Sequence, residues 1–426
     1  MPPIADHPQR YALSNELHAR PFPVMQAPGR AAYLAIKRAD NAVARDRNAD
    51  RDHLLALLDR YGAPHPQPNA THYSGSLGRH FLKWESHTEF VTYTILGDGV
   101  SESPFDAKTF GMFPEDWLAQ APGTRMTSAL IRVEELDDEN SIIPKTDDWF
   151  VPESLAISRV LNDELIVASD FRIDEGGHIR FAVFARPSAG PRRLGRVVQR
   201  LAEIETYKAM SMLGLTRARE LSPKMGAMEQ QLGNLLRDMG QGDRPADEIL
   251  QSLLSVSADV ENMIAQSAFR FSGTSAYSRI VNQRIEVLRE ERFSGLQTFA
   301  EFMMRRFDPA MRTVSSTEAR LKALSDRAMR AGDLLRTKVD VDRSAQNQEL
   351  LTSMNKRADE QLRLQRTVEG LSVVAISYYA VNLVIYAFGP AAESIGISKT
   401  LLAAGATPIV LLIVWWLIKQ IHKRIS

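Results

Sequence analysis

Two uncharged stretches near the C-terminal end, residues 370–392 and 400–418, constrain this chain more than any other feature. As helices, residues 371–388 and 400–418 would be about 27 and 28 Å long at ~1.5 Å per residue. Both lengths match a hydrocarbon core of roughly 30 Å. Two such runs rarely adjoin in a soluble core, so the sequence predicts a two-helix transmembrane hairpin. Lys356, Arg357, Arg363 and Arg366 precede the first span, and Lys419, Lys423 and Arg424 follow the second. The intervening loop holds only Glu393 and Lys399. Basic residues stay on the cytoplasmic side, which places both chain ends in the cytoplasm. Trp415 and Trp416 suit the inner interface.

The first span carries a polar stripe. Tyr378, Asn382 and Tyr386 recur every fourth residue and Gly389 follows, so all four share one helix face. An Asn at membrane depth needs a partner or water. The stripe therefore reads as an interhelical contact or as the wall of a pore. In the second span Thr400, Ala404 and Pro408 form a small face that admits a neighbouring helix.

Upstream, Asp308-Pro309 is a helix-start signal, since Asp caps free amides and Pro suits the first helical position. No proline occurs from 310 to 388, and only Gly332 and Gly370 interrupt the run before Gly389-Pro390, where the helix should stop. Val314, Thr317, Leu321, Leu324, Ala328, Ala331 and Leu335 space as a heptad seam, which turns polar through Lys338, Asp340, Asp342, Gln346 and Asn347. A lone helix of about 80 residues is not stable without partners, so a homo-oligomer is expected.

Earlier helical stripes run through Val197, Leu201, Ile204, Tyr207 and Leu215, through Ile249, Leu253, Val256, Val260 and Met263, and through Tyr277, Val281, Ile285 and Leu288. Residues 240–245 break the pattern. Met210, Met212, Met225 and Met228 read as core fillers. Before residue 190, strand-like runs fall at 31–37, 80–85, 89–96, 129–135, 165–173 and 179–185. The last two flank the hairpin connection Asp174-Glu175-Gly176-Gly177. A helix is expected over 42–61, carrying Leu54, Leu57 and Leu58.

The expected organisation is an α+β cytoplasmic domain (1–190), a helical bundle (191–307), a long stalk helix (308–370), the two-helix transmembrane hairpin (371–418) and a basic cytoplasmic tail (419–426).

Composition narrows the chemistry. The 52 basic and 52 acidic residues cancel, so no nucleic-acid partner is expected. The absence of cysteine excludes disulfides and thiolate metal sites. The opening residues lack a basic and apolar leader pattern. No HExxH, GxSxG, GxxxxGK[ST] or GxGxxG occurs. What polar chemistry there is lies in Glu16, His18 and Arg20, and in Glu85, His87 and Glu89. Within each group the alternating residues share one side if the segment is extended. Satisfied polar groups are the bland reading; an acid–base or metal site is the sharper one. Neither a metal nor a cofactor is identified.

Two resemblances add to this. HPQRYALSNELHARPFP at 7–23 and WESHTEF at 84–90 resemble the signature of a bacterial family of membrane-anchored proteins of uncharacterised activity, matching along nearly the whole chain. The order of elements resembles the CorA-type magnesium channels. That resemblance implies a homopentamer whose first span lines a pore ending in a Gly-Met-Asn filter. The corresponding place reads Tyr386-Ala387-Phe388-Gly389-Pro390, and the filter Asn has no counterpart. The expectation is thus a CorA-like oligomeric ion channel or transporter of unknown selectivity in the bacterial inner membrane. The alternative is a membrane-anchored scaffold or sensor with a cytoplasmic binding domain; an enzyme built on Glu16, His18, His87 or Glu89 ranks behind both.

Overall fold

The computed structural model describes residues 4–11, 13–14, 21–39, 46–241, 244–394 and 398–425. The chain forms two compact units, Met1–Arg244 with Gln251–Gly332, and Pro245–Leu250 with Asp333–Ser426.

The first unit is built on a nine-stranded sheet among the described residues. Its strands are β1 (Gly29–Lys37), β2 (His72–Leu77), β3 (His80–Ser86), β4 (Phe90–Asp98), β5 (Thr124–Glu135), β6 (Ala156–Val160), β7 (Leu165–Ser169), β8 (Ile179–Ala185) and β9 (Glu291–Arg292). Their order is β2-β3-β4-β1-β5-β8-β7-β6-β9, and every pairing is antiparallel except β5 with β8. β1 sits centrally because its run of Ala, Tyr, Leu and Ile buries both faces. Alternation sends Ala31, Tyr33 and Ala35 to one side and Ala32, Leu34 and Ile36 to the other.

Helices cover both sides. α1 (Arg47–Arg60) is capped by Asp46, whose side chain accepts from the Asn48 amide, and it buries Leu54, Leu57 and Leu58. With α2 (Glu115–Ala119), which supplies Trp117, it packs on Leu34, Ile36, Tyr93 and Ile95. α3 (Ile142–Trp149) covers the far end of the same face through Ile142 and Trp149, against Ile157, Ile166 and Phe184. The opposite face meets α4 (Pro191–Gln241), whose Leu194, Val197, Val198, Leu201 and Ile204 lie in one core with Tyr33, Ile131 and Phe181. α5 (Ala246–Glu286) adds Val281 and Ile285, and α6 (Phe299–Arg306), opened by a Thr298–Glu301 capping box, adds Phe299 and Phe302.

α7 runs unbroken from Asp308 to Ser394, and α8 spans Lys399–Ile425. The seam expected on α7 is seated: Val314, Leu321, Leu324, Ala328 and Ala331 are buried, and Thr317 is half-buried. Arg320 pairs with Glu229 of α4, and Ser325 Oγ lies 2.5 Å from Glu261 of α5. In the second unit the character changes, and every residue from 340 to 368 is exposed.

The structure agrees with most expected elements and departs at several places. β2, β6 and β9 lack a clear sequence pattern and were not expected; β9 lies at 291–292, inside the stretch read as helical bundle. The strand expected over 165–173 ends at Ser169, with Ile173 joined to Ile179 by an isolated bridge. The helix expected over 42–61 begins at Arg47, after the Asp46 cap, and ends at Arg60; residues 40–45 lie outside the described residues. Gly389-Pro390 does not stop α7, which continues to Ser394 with Pro390 inside it. Proline removes only its own amide, and the following residues still bond back along the helix. The break at 240–245 falls where α4 ends and α5 begins.

Candidate functional site

Of Glu85, His87 and Glu89, expected on one extended side, the fold keeps the first two at one pocket and turns Glu89 elsewhere. Glu85 belongs to β3, His87 to the turn after it, and Glu89 stands just before β4. The strand pairing of β3 and β4 forces a tight reversal at 87–89, so the alternation read across all three fails. Glu16, His18 and Arg20 lie outside the described residues.

Glu89 is fully buried. Arg270 Nη2 donates to its Oε2 at 2.5 Å and Nη1 to its Oε1 at 3.3 Å, while Tyr277 Oη donates to Oε1 at 2.9 Å. Burial first, and then the Glu89 charge, push the Tyr277 phenol far above its ordinary range. The carboxylate is therefore spent on structure. Tyr277 stands in the sequence only as part of an apolar helical stripe, and Arg270 carries no mark there. The acid they hold lies over 180 residues away.

Glu85 and His87 do share a pocket. With Tyr33, Thr92, Glu203 and Tyr207 they line a cavity of about 20 Å³ between the sheet and α4, room for about one water molecule. Glu85 lies 3.3 Å from Lys83 Nζ. The His87 ring stacks on Phe90 at 4.4 Å between centroids, and its Nε2 is 3.5 Å from Thr92 Oγ1. Tyr33 Oη bonds Thr206 Oγ1, and burial pushes the Tyr33 phenol well up. Thr127 donates to Glu205 at 3.0 Å, and Lys208 stands 2.6 Å from the same carboxylate. This layer can hold a water and a network of protons. It has no room for an organic substrate. Among the described residues no group of three His, Asp or Glu side chains is placed to hold a metal ion.

The other site residues lie in the second unit. Tyr378 and Tyr386 are exposed, Asn382 is half-buried and Gly389 is buried. Asn382 Nδ2 donates to the Tyr378 carbonyl at 3.0 Å, one turn back in its own helix. Among the described residues, α7 and α8 are the two helices long and apolar enough to cross a membrane, and only 6% of each apolar window is buried. A core helix of a soluble protein would be mostly covered.

These features define a mixed α+β sheet domain followed by long helices, two of which are candidate membrane spans. The chain belongs to the DUF3422 family, proteins of unknown function, whose model matches residues 5–425. No curated protein and no solved structure matches it.

Proposed function

We propose that this chain is an oligomeric two-pass protein of the bacterial inner membrane, with its N-terminal domain and C-terminal tail in the cytoplasm. In this reading the first span lines an ion pathway in the manner of CorA-type channels, with a selectivity of its own. The exposure of α7 supports it best. Beyond the buried seam, Leu350, Met354, Leu364, Val368 and Leu371 stand on one heptad stripe and are all exposed. Arg357 and Gln361 complete the stripe. A half-apolar, half-polar seam of this kind suits parallel copies of the same helix around a hydrated axis. Lipid is the natural cover for the apolar surface of 371–388 and 400–418.

The test is ion flux in liposomes containing the purified full chain, with its mass in detergent measured alongside. Flux of at least one common cation or anion, together with an oligomeric mass, is expected. No flux for any of them, with a monomeric mass, overturns the reading.

A membrane-anchored scaffold or sensor is the second reading. The bond from Asn382 to its own helix favours it, because that amide then needs no pathway to satisfy its donor.

A further inference from the structure

Four arginines converge on one pocket of the first unit. Arg193, Arg196 and Arg200 occupy successive turns near the start of α4, and Arg289 comes from the loop after α5. With Asn162 and Glu164 of the β6–β7 turn they enclose about 370 Å³, within the roughly 300–1,000 Å³ of small-molecule pockets.

The charges do not balance. Glu164 is the single carboxylate of the lining, and it pairs with Arg193. Arg196, Arg200 and Arg289 have no carboxylate partner among the described residues. Arg200 donates to the Val287 carbonyl at 3.1 Å. Arg196 lies 5.0 Å from the Phe22 ring centre, and its Nε is buried with no hydrogen-bond partner. The nearby acids are already used: Glu139 and Asp163 hold Arg159 and Arg186, and Glu203 holds Arg284. Burial, then the Arg196 and Arg284 charges beside it, hold the Arg200 guanidinium below its ordinary range. Folding has thus gathered a surplus of positive charge without supplying its counter-ion, an arrangement that an anion would relieve.

The backbone around the pocket is also unusual. Leu161, Asn162 and Asp163 have φ of 54°, 60° and 64°, and Arg289 has 52°. Left-handed backbone at successive non-glycine residues persists only where the surroundings hold it. Here the Leu161 amide donates to the Leu288 carbonyl at 2.9 Å, tying the turn to the loop that carries Arg289.

We propose that this pocket binds a phosphate monoester that also carries a hydroxyl group. The planar guanidinium forks of Arg196, Arg200 and Arg289 suit the phosphate oxygens. Glu164 has one oxygen buried with no hydrogen-bond partner, and that oxygen accepts the ligand's hydroxyl. A soluble polyol phosphate and a lysophosphatidate headgroup share this chemistry.

The test is calorimetric titration of the full chain in detergent with glycerol 3-phosphate, with inorganic phosphate and with a short-chain lysophosphatidate, which keeps one free glycerol hydroxyl. Binding of glycerol 3-phosphate is expected, tighter than that of inorganic phosphate and weakening as salt rises. Arg196→Gln, Arg200→Gln and the exposed Arg289→Gln should each weaken it at least tenfold with circular dichroism unchanged. Arg312→Gln, on another surface, should leave it unaltered. Glu164→Gln should keep phosphate binding and lose the preference for the glycerol ester. Lysophosphatidate binding much more tightly than glycerol 3-phosphate would assign the site to a lipid headgroup, and equal binding to a soluble ester. No heat with any of the three at millimolar concentration, or unchanged affinity in Arg289→Gln, overturns the proposal.

Discussion

Arg270 of α5 grips Glu89, just before β4, with both terminal guanidinium nitrogens, and the carboxylate it holds is entirely buried. This pair ties the end of the sheet to the helical layer. Tyr277, one further stretch along α5, closes on the same oxygen and stacks on Tyr207 of α4 at 5.5 Å between ring centres. Two elements distant in sequence meet at that carboxylate, and α4 joins them through the Tyr207 ring.

Removing one partner of such a pair strands the other charge in the interior. Arg270→Ala should cost about 3–5 kcal/mol of stability. Replacing both Glu89 and Arg270 with Leu should cost less than the single change. Urea denaturation of the detergent-extracted chain, followed by tryptophan fluorescence, checks this; equal midpoints for wild type and Arg270→Ala would show that the pair holds nothing.

A second prediction concerns the first turns of α4. A Cβ added at Gly195 would come 2.0 Å from the Pro23 carbonyl oxygen, so backbone must move to admit it. Gly195→Ala should destabilise by about 1–3 kcal/mol, as overpacked cores do. It should also speed proteolysis between residues 21 and 25, because the Met25 amide bonds the Pro191 carbonyl beside the same contact. Cleavage at the wild-type rate would contradict it.

Acid should act through His53. Its ring lies between Tyr93 Oη at 3.2 Å and the Trp117 carbonyl at 3.0 Å, stacked on the Trp117 indole at 4.0 Å. Burial lowers its pKa, and the Trp117 carbonyl opposes only part of that. A depressed pKa means that the folded state disfavours the proton. The contribution is fully present above the ordinary value of 6.5 and is lost as pH falls below it toward the folded-state value. His53→Gln should therefore flatten the loss of stability on acidification below pH 6.5, measured by thermal unfolding across a pH series. An unchanged slope would remove His53 from the acid response.

The absence of cysteine permits a direct test of the α7 assembly. Leu364→Cys, on the exposed heptad stripe, should give disulfide-linked pairs under mild oxidant in native membranes. Asp359→Cys, on the opposite side of the helix, should not. Cross-linking of both to the same extent, or of neither, argues against a seam between copies.

Asn382→Leu separates the two functional readings. In liposomes it should change the rate or selectivity of ion passage if the first span lines a pathway. A membrane-tethered scaffold would tolerate the change with its fold and assembly intact, so unaltered flux in an otherwise conducting protein would take Asn382 out of the pathway.

Much of the architecture was legible in the residues. The apolar run of β1, the bounds of β8, the break between α4 and α5, the buried seam of α7 and the two uncharged stretches near the C-terminal end all follow from local pattern, because burial periodicity is written into neighbouring positions. β2 and β6 were not legible. His72–Leu77 contains Ser, Gly and Ser where a strand usually places branched or aromatic residues, and Ala156–Val160 is too short to show a period. β9 is a strand only because β6 offers it an edge.

By itself the sequence determined where apolar surface must be hidden, and so where helices, strands and candidate spans begin. Only the tertiary structure decided which charges meet. It turned Glu89 from a suspected ligand into the anchor of Arg270, and it collected Arg196, Arg200 and Arg289 beside a single carboxylate, Glu164, that is already paired with Arg193. Local propensity acts over a few residues, whereas a side chain's electrostatic partner is set by whatever the fold carries to it from far along the chain.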